Sequence, residues 1–363
     1  MNKLTDIAKR AALIVLAFIV AIIITLIIAR FLKTPQDVWL NVPLPDTSKQ
    51  LLVLRVAYAN NPRFTALTEP QLQQLLQQTT VLMQQHFQLN VEFEMSAPIT
   101  VDALFSVLPA AVKQQRASSI ADPRTLDQHS ISHMRNSLYD QLSHYAGDSN
   151  HLLDYARPHL VSTETVTNIA TLARALTDTH IARLGYWYDE KSSDGKPIID
   201  GSDFNQWVWW DSLGYGDLPY DVVITNQLVA SLEISDVAMH TALRGGINGG
   251  TMTYSKHGRY GGYVFVSVFA LINDLPLLTQ LRDDKHYTDE QIIHYAAATL
   301  AHELGHLFMH YDHPFGAKDC IMNPTPLLHY RTWYNGLNAG SCRAISLPQM
   351  QRGAVKIGYN TDW

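Results

Sequence analysis

The sequence predicts an α+β domain: a twisted, mixed five-stranded sheet crossed by one long helix, with a helical insertion and an N-terminal transmembrane helix. Three observations predict it. Residues 50–95 read strand–helix–strand, which implies parallel pairing through a crossover helix. Three further strand-like runs lie between residues 220 and 271. Between them, residues 98–216 have mostly helical periodicity.

The first element is apolar. Residues 11–29, "AALIVLAFIVAIIITLIIA", carry no charge. At about 1.5 Å per residue they approach the roughly 30 Å of a bilayer's hydrocarbon. A cleaved signal peptide would have a shorter apolar region, about 7–15 residues, ending at small residues. Here Arg30-Phe31-Leu32-Lys33 follows instead. The expectation is an anchor over residues 11–32, preceded by a cytoplasmic segment 1–10 with Lys3, Lys9 and Arg10. A linker at 33–49 would then lead to an extracytoplasmic domain, periplasmic or extracellular, over 50–363. Net charge is −6 with Lys and Arg scattered, so there is no electrostatic footprint for nucleic acid. The expected partners are the membrane and a protein or peptide.

Gln50–Ala57 reads as a strand, Glu69–Phe87 as a helix capped by Thr68 with Pro70 in its first turn, and Leu89–Met95 as an alternating strand. Helical stretches at Val101–Gln115, Pro123–Ala146 and Thr163–Leu184 form the insertion. "FNQWVWW" (Phe204–Trp210) reads as a core cluster. Tyr220–Asn226 is the next strand. "TMTYS" (Thr251, Met252, Thr253, Tyr254, Ser255) alternates as an edge strand does, "KHGR" is a hairpin turn, and "YVFVSVFAL" is apolar on both parities, as in an internal strand.

Thr288 and Gln291 form a capping box for a helix through "IIHYAAATLAHELGHLFMH". His302 and His306 are four apart and stack on one helical face, so both reach one tetrahedral Zn²⁺. Glu303, offset by one position, can accept the proton of a zinc-bound water. Single zinc ions want a third protein ligand, and His310, Asp312 and His313 crowd the next turn. His310 stands about 12 Å along the helix from His302, too far to share its metal. No glutamate follows Glu303, which excludes a ligand of that type from a later helix. Cys320 and Cys342 are expected to form a disulfide, since the anchor implies an oxidising compartment.

The segment resembles the metzincin clan of zinc peptidases, whose motif is H-E-x-x-H-x-x-G-x-x-H/D followed by a Met-turn. It is most similar to the snapalysin-like variant, with aspartate as third ligand. The resemblance puts Asp312 on zinc, with His313 as the alternative, and puts Met322 of "CIMNP" in the Met-turn. It implies a zinc-dependent, membrane-anchored metalloendopeptidase with Glu303 as catalytic base and the strand Thr251–Ser255 receiving substrate. One departure stands out: the clan's glycine, where the chain leaves the helix left-handed, falls on Met309. The alternative is a catalytically degenerate zincin-fold domain that binds peptides or acts as a scaffold.

Overall fold

Strand β1 (Leu51–Asn60) sits inside the sheet and sends alternate side chains to two different cores. Leu54, Val56 and Tyr58 face one cluster; Ala57 and Ala59 face the other. This period of two is what a strand covered on both faces requires. The computed structural model describes residues 51–350 apart from 216–217, 257–258 and 348–349. The expected N-terminal segment at 1–10, the anchor at 11–32 and the linker at 33–49 lie outside the described residues. Among the described residues no helix is long and apolar enough to cross a membrane.

The sheet has six strands, not five, in the order β2-β1-β4-β6-β5, with β3 beside β1. After β1 the helix α1 (Glu69–Phe87) crosses over to β2 (Asn90–Met95), which pairs parallel with β1 from Leu51↔Asn90 to Val56↔Met95. Thr68, the expected N-cap, also closes a capping box with Gln71 at the start of α1. The sixth strand is β3 (Ile99–Thr100), a two-residue continuation beside the end of β1. Its brevity hid it, since two residues carry no periodicity.

The insertion breaks more often than its periodicity implies. It contains α2 (Val101–Phe105), α3 (Ala110–Ser119), α4 (Gln128–Ser143), α5 (Ser149–Ala156), α6 (Ile169–Asp189) and α7 (Gln206–Tyr215). Pro109 separates α2 from α3, where a continuous helix would lose a backbone donor. Asp127 and Asn168 cap α4 and α6 later than expected. Met134, Leu138, Leu152, Leu172 and Leu176 of this region share one core with the sheet. In α7, Trp209 is fully buried and stacks on Phe265, so the tryptophan run is core, covering the second face of the sheet.

Strand β4 (Val222–Thr225) pairs parallel with β1 and β6. The short α8 (Met239–Arg244) precedes β5 (Gly249–Lys256), which pairs antiparallel with β6 (Arg259–Ser267). Lys256 pairs with Arg259, and the expected turn residues between them lie outside the described residues. Val264 and Val266 face one core, Tyr263 and Phe265 the other, as an internal strand demands. The expected run to Leu271 stops four residues early: Ser267 Oγ accepts the N–H of Phe269 and the chain turns into α9 (Phe269–Ile272). Helix α10 (Pro276–Leu281) leads to α11 (Asp289–Met309), and α12 (Tyr330–Gly336) follows. Both α1 and α11 pack on the first face of the sheet, against Val56, Ile224 and Val264.

Candidate metal centre

Helix α11 starts at the Thr288–Gln291 capping box and buries Leu300, Ala301 and Leu304 completely. That packing fixes its rotation, and with it the direction of His302, Glu303 and His306. The helix ends at Met309, and the next residue, His310, takes the left-handed conformation (φ 53°, ψ 38°). Histidine populates that region more readily than methionine does. In the metzincin motif the left-handed residue stands three before the third ligand; here three residues after His310 comes His313. The break and the ligand position have moved together by one residue.

The side chains follow that shift. His302, His306 and His313 bring three ring nitrogens together in a group that could hold a metal ion. Their Nε2 atoms are 3.1 Å (302–306), 3.0 Å (306–313) and 3.3 Å (302–313) apart. Three nitrogens on one tetrahedral ion, each about 2.0–2.1 Å from it, would stand about 3.3 Å apart. The triangle therefore fits a single small cation. Asp312, the ligand implied by the resemblance, is not in the group. Its carboxylate accepts hydrogen bonds from Tyr145 Oη (2.8 Å) and the His313 backbone N–H (2.8 Å), and His144 Nε2 is 3.2 Å away. The alternative, His313, is the one in the group.

Ring orientation is set by the other nitrogen of each imidazole. His302 Nδ1 donates to the carbonyl of Ile321 at 2.8 Å, and His306 Nδ1 donates to that of Tyr311. A carbonyl only accepts, so each Nδ1 carries the proton and each Nε2 offers its lone pair. His313 Nδ1 lies 3.5 Å from Tyr145 Oη and 3.6 Å from Asp312 Oδ1. The insertion thus reaches the centre through His144 and Tyr145. Burial, then the neighbouring imidazoles, hold His302 well below its ordinary value. Burial, then the charge of His306, brings His313 down to about 3. Both are neutral and lone-pair-bearing at neutral pH. Burial would raise the Asp312 carboxyl, but its bonds to His144 and Tyr145 and the neighbouring His313 and His306 rings hold it below the usual carboxylate range.

Met322 lies against Gly305, the residue before His306 on α11. A Cβ on Gly305 would stand 2.4 Å from Met322 Sδ and 2.7 Å from Phe87 Cζ, so only glycine leaves room for that sulfur. The Cys320–Cys342 disulfide is present and brackets this turn. Its carbonyl at Ile321 is the one that holds His302.

Glu303 is 7% exposed and its carboxylate lies against β5. Thr251 Oγ1 is 2.9 Å from its Oε2 and 2.8 Å from its carbonyl oxygen. A Cβ on Gly249 would stand 2.7 Å from Oε1, so the glycine admits the carboxylate against the strand. Burial raises the Glu303 pKa, against the lowering charge of His306 and the Thr251 bond. Thr251 and Met252 lie half-buried on β5, and Thr253, Tyr254 and Ser255 continue its backbone ladder. His310 is buried at the helix end and outside the triangle.

Sequence reasoning did not find His144, Tyr145, His240 or Arg244. His240 stands 5.1 Å from His313, ring to ring. The only signal for the last two was their i,i+4 spacing in "HTALR". No family model, curated protein or solved structure matches the chain.

Proposed function

We propose that the chain is a membrane-anchored zinc endopeptidase of metzincin-like type, with His302, His306 and His313 as ligands and Glu303 as general base. The observation that carries this reading is the triangle of Nε2 atoms, with a buried carboxylate on the residue next to its first corner. A three-imidazole tetrahedral set with an open fourth position suits catalytic zinc. Zinc held there would supply Lewis acidity toward a scissile carbonyl and acidify a water molecule.

The chain's own residues do the rest. Glu303 takes a proton from the attacking water and returns it to the leaving amine. Its burial raises its basicity toward what that exchange needs near neutral pH. Thr251 Oγ1 orients the carboxylate from the edge strand. Strand β5 ends the sheet order, so its outer edge is open to an extended peptide pairing along Thr251–Ser255. The anchor rests on the apolar run of residues 11–29, and the disulfide fits an oxidising compartment. The inert-scaffold alternative drew on Met309, and that support falls away because His310 makes the left-handed turn.

The test uses Glu303→Gln with an unfolded protein as substrate, with and without chelator. Hydrolysis should fall by about 10²–10⁴-fold while zinc stays bound. Full activity in the variant, or in chelator, would contradict the reading.

A further inference from the structure

Beyond the metal ligands, α6, α8 and the segment after Met322 bring cationic groups together with no acid paired to them among the described residues. Arg244, the last residue of α8, is 8% exposed. Its Nη2 donates to the Thr325 carbonyl, and its Nε is buried with no hydrogen-bond partner. Arg183 of α6 runs alongside: its Cβ is 3.1 Å from where a Cβ on Gly245 would stand. Its Nε is also buried and unpartnered, as is Thr325 Oγ1. His159 and His329 pack edge to face at 5.2 Å nearby.

This cluster borders the metal centre. Tyr155 Oη donates to the same Thr325 carbonyl at 3.1 Å and lies 3.5 Å from His240 Nδ1. His240 in turn packs against His313. Glu303 senses the charge of Arg244, yet among the described residues no carboxylate forms an ion pair with Arg244 or Arg183. Burial brings His159 down to about 4, helped by the charges of His329, Arg244 and Arg183. A buried guanidinium without an anion is costly, and its planar fork matches a carboxylate.

We propose that Arg244 and Arg183 form a carboxylate-binding subsite beside the metal centre, selecting peptides that present a carboxylate close to the scissile bond. The carboxylate is either a free C-terminus or an acidic side chain. The inference rests on the peptidase reading and narrows its substrates. The carboxylate accepts from the Arg244 guanidinium, whose Nε has no partner inside the chain, with the Arg183 charge beside it.

The test is fluorescence anisotropy with the full-length Glu303→Gln protein and three labelled peptides of one sequence. One has a free C-terminus, one is amidated, and one is amidated with a glutamate added. At least one carboxylate peptide should bind about tenfold to a hundredfold more tightly than the neutral one. Which one does so identifies the source. Arg244→Gln should abolish the difference and Arg244→Lys should retain part of it. Arg183→Gln, on a less buried residue, should reduce it and guards against misfolding of the Arg244 variants. Equal binding of all three peptides, or discrimination that survives Arg244→Gln, overturns the proposal. Unmutated protein that cleaves peptides without this discrimination would sink the subsite alone. Discrimination without cleavage of any peptide would sink the peptidase reading and leave the subsite standing.

Discussion

Two buried polar clusters flank the sheet, and they are finished differently. Beside α7, Arg116 grips Asp211 with two bonds of 2.6 and 3.1 Å and meets Glu233 at 3.3 Å. Asn205 adds a bond to Glu233 at 2.7 Å, and the guanidinium also lies over Trp207. Both carboxylates there meet the one guanidinium inside the chain. Around α11 the reverse holds. Three imidazole lone pairs face each other, and Arg244 and Arg183 keep unpartnered donors. Buried polar groups that satisfy one another hold a fold together; those left open are complemented from outside. The contrast teaches where in this molecule a ligand has something to supply.

Breaking the closed cluster should cost stability most. Arg116→Met would strand Asp211 and Glu233, 3% and 6% exposed, and should lower unfolding free energy by about 3–5 kcal/mol in urea titrations. Zinc binding in the folded fraction should be unaffected. A loss well below 1 kcal/mol would mean the cluster is not the closed structural unit described. On the open side, Gly305→Ala pushes a methyl into Met322 Sδ and Phe87. Overpacking of that kind should cost about 1–3 kcal/mol, read by the same titration. Wild-type stability in that variant would remove Met322 from its place against Gly305.

The smallest effect is a slope. His180, 1% exposed, is held neutral by burial with its pKa at about 3, against a lesser raising bond from Ser231. The unfolded chain binds a proton there below about pH 6.5 while the folded chain does not. Stability from this group is therefore complete above that pH and is lost as pH falls toward 3, at about 1.4 kcal/mol per unit. Unfolding titrations of the metal-free protein at pH 6 and pH 5 should show His180→Asn with a shallower slope, by about one proton. Identical slopes would mean His180 is protonated in the folded state.

Much of this was legible in the sequence because it is local. The Thr68 cap, the Thr288–Gln291 capping box, the H-E-x-x-H face and the internal strand each depend on spacings within one segment, and the disulfide was expected from the compartment. The third ligand was not, because Asp312 and His313 are adjacent and one left-handed residue decides between them. Family spacing pointed to Met309 for that residue, and backbone preference pointed to His310. Tyr145 and Arg244 were illegible for another reason. They reach the centre from elements 167 and 81 positions from their partners Asp312 and Thr325, and no periodicity records such a contact.

In the proposed centre the helix break at His310 makes His313 the third ligand and leaves Asp312 beside it. Zinc content of His313→Ala and Asp312→Ala, purified side by side, tests this most directly. The account predicts that His313→Ala loses its zinc, while Asp312→Ala keeps it with affinity weakened by about 10–100-fold. Zinc lost from Asp312→Ala and retained at full affinity by His313→Ala would contradict it.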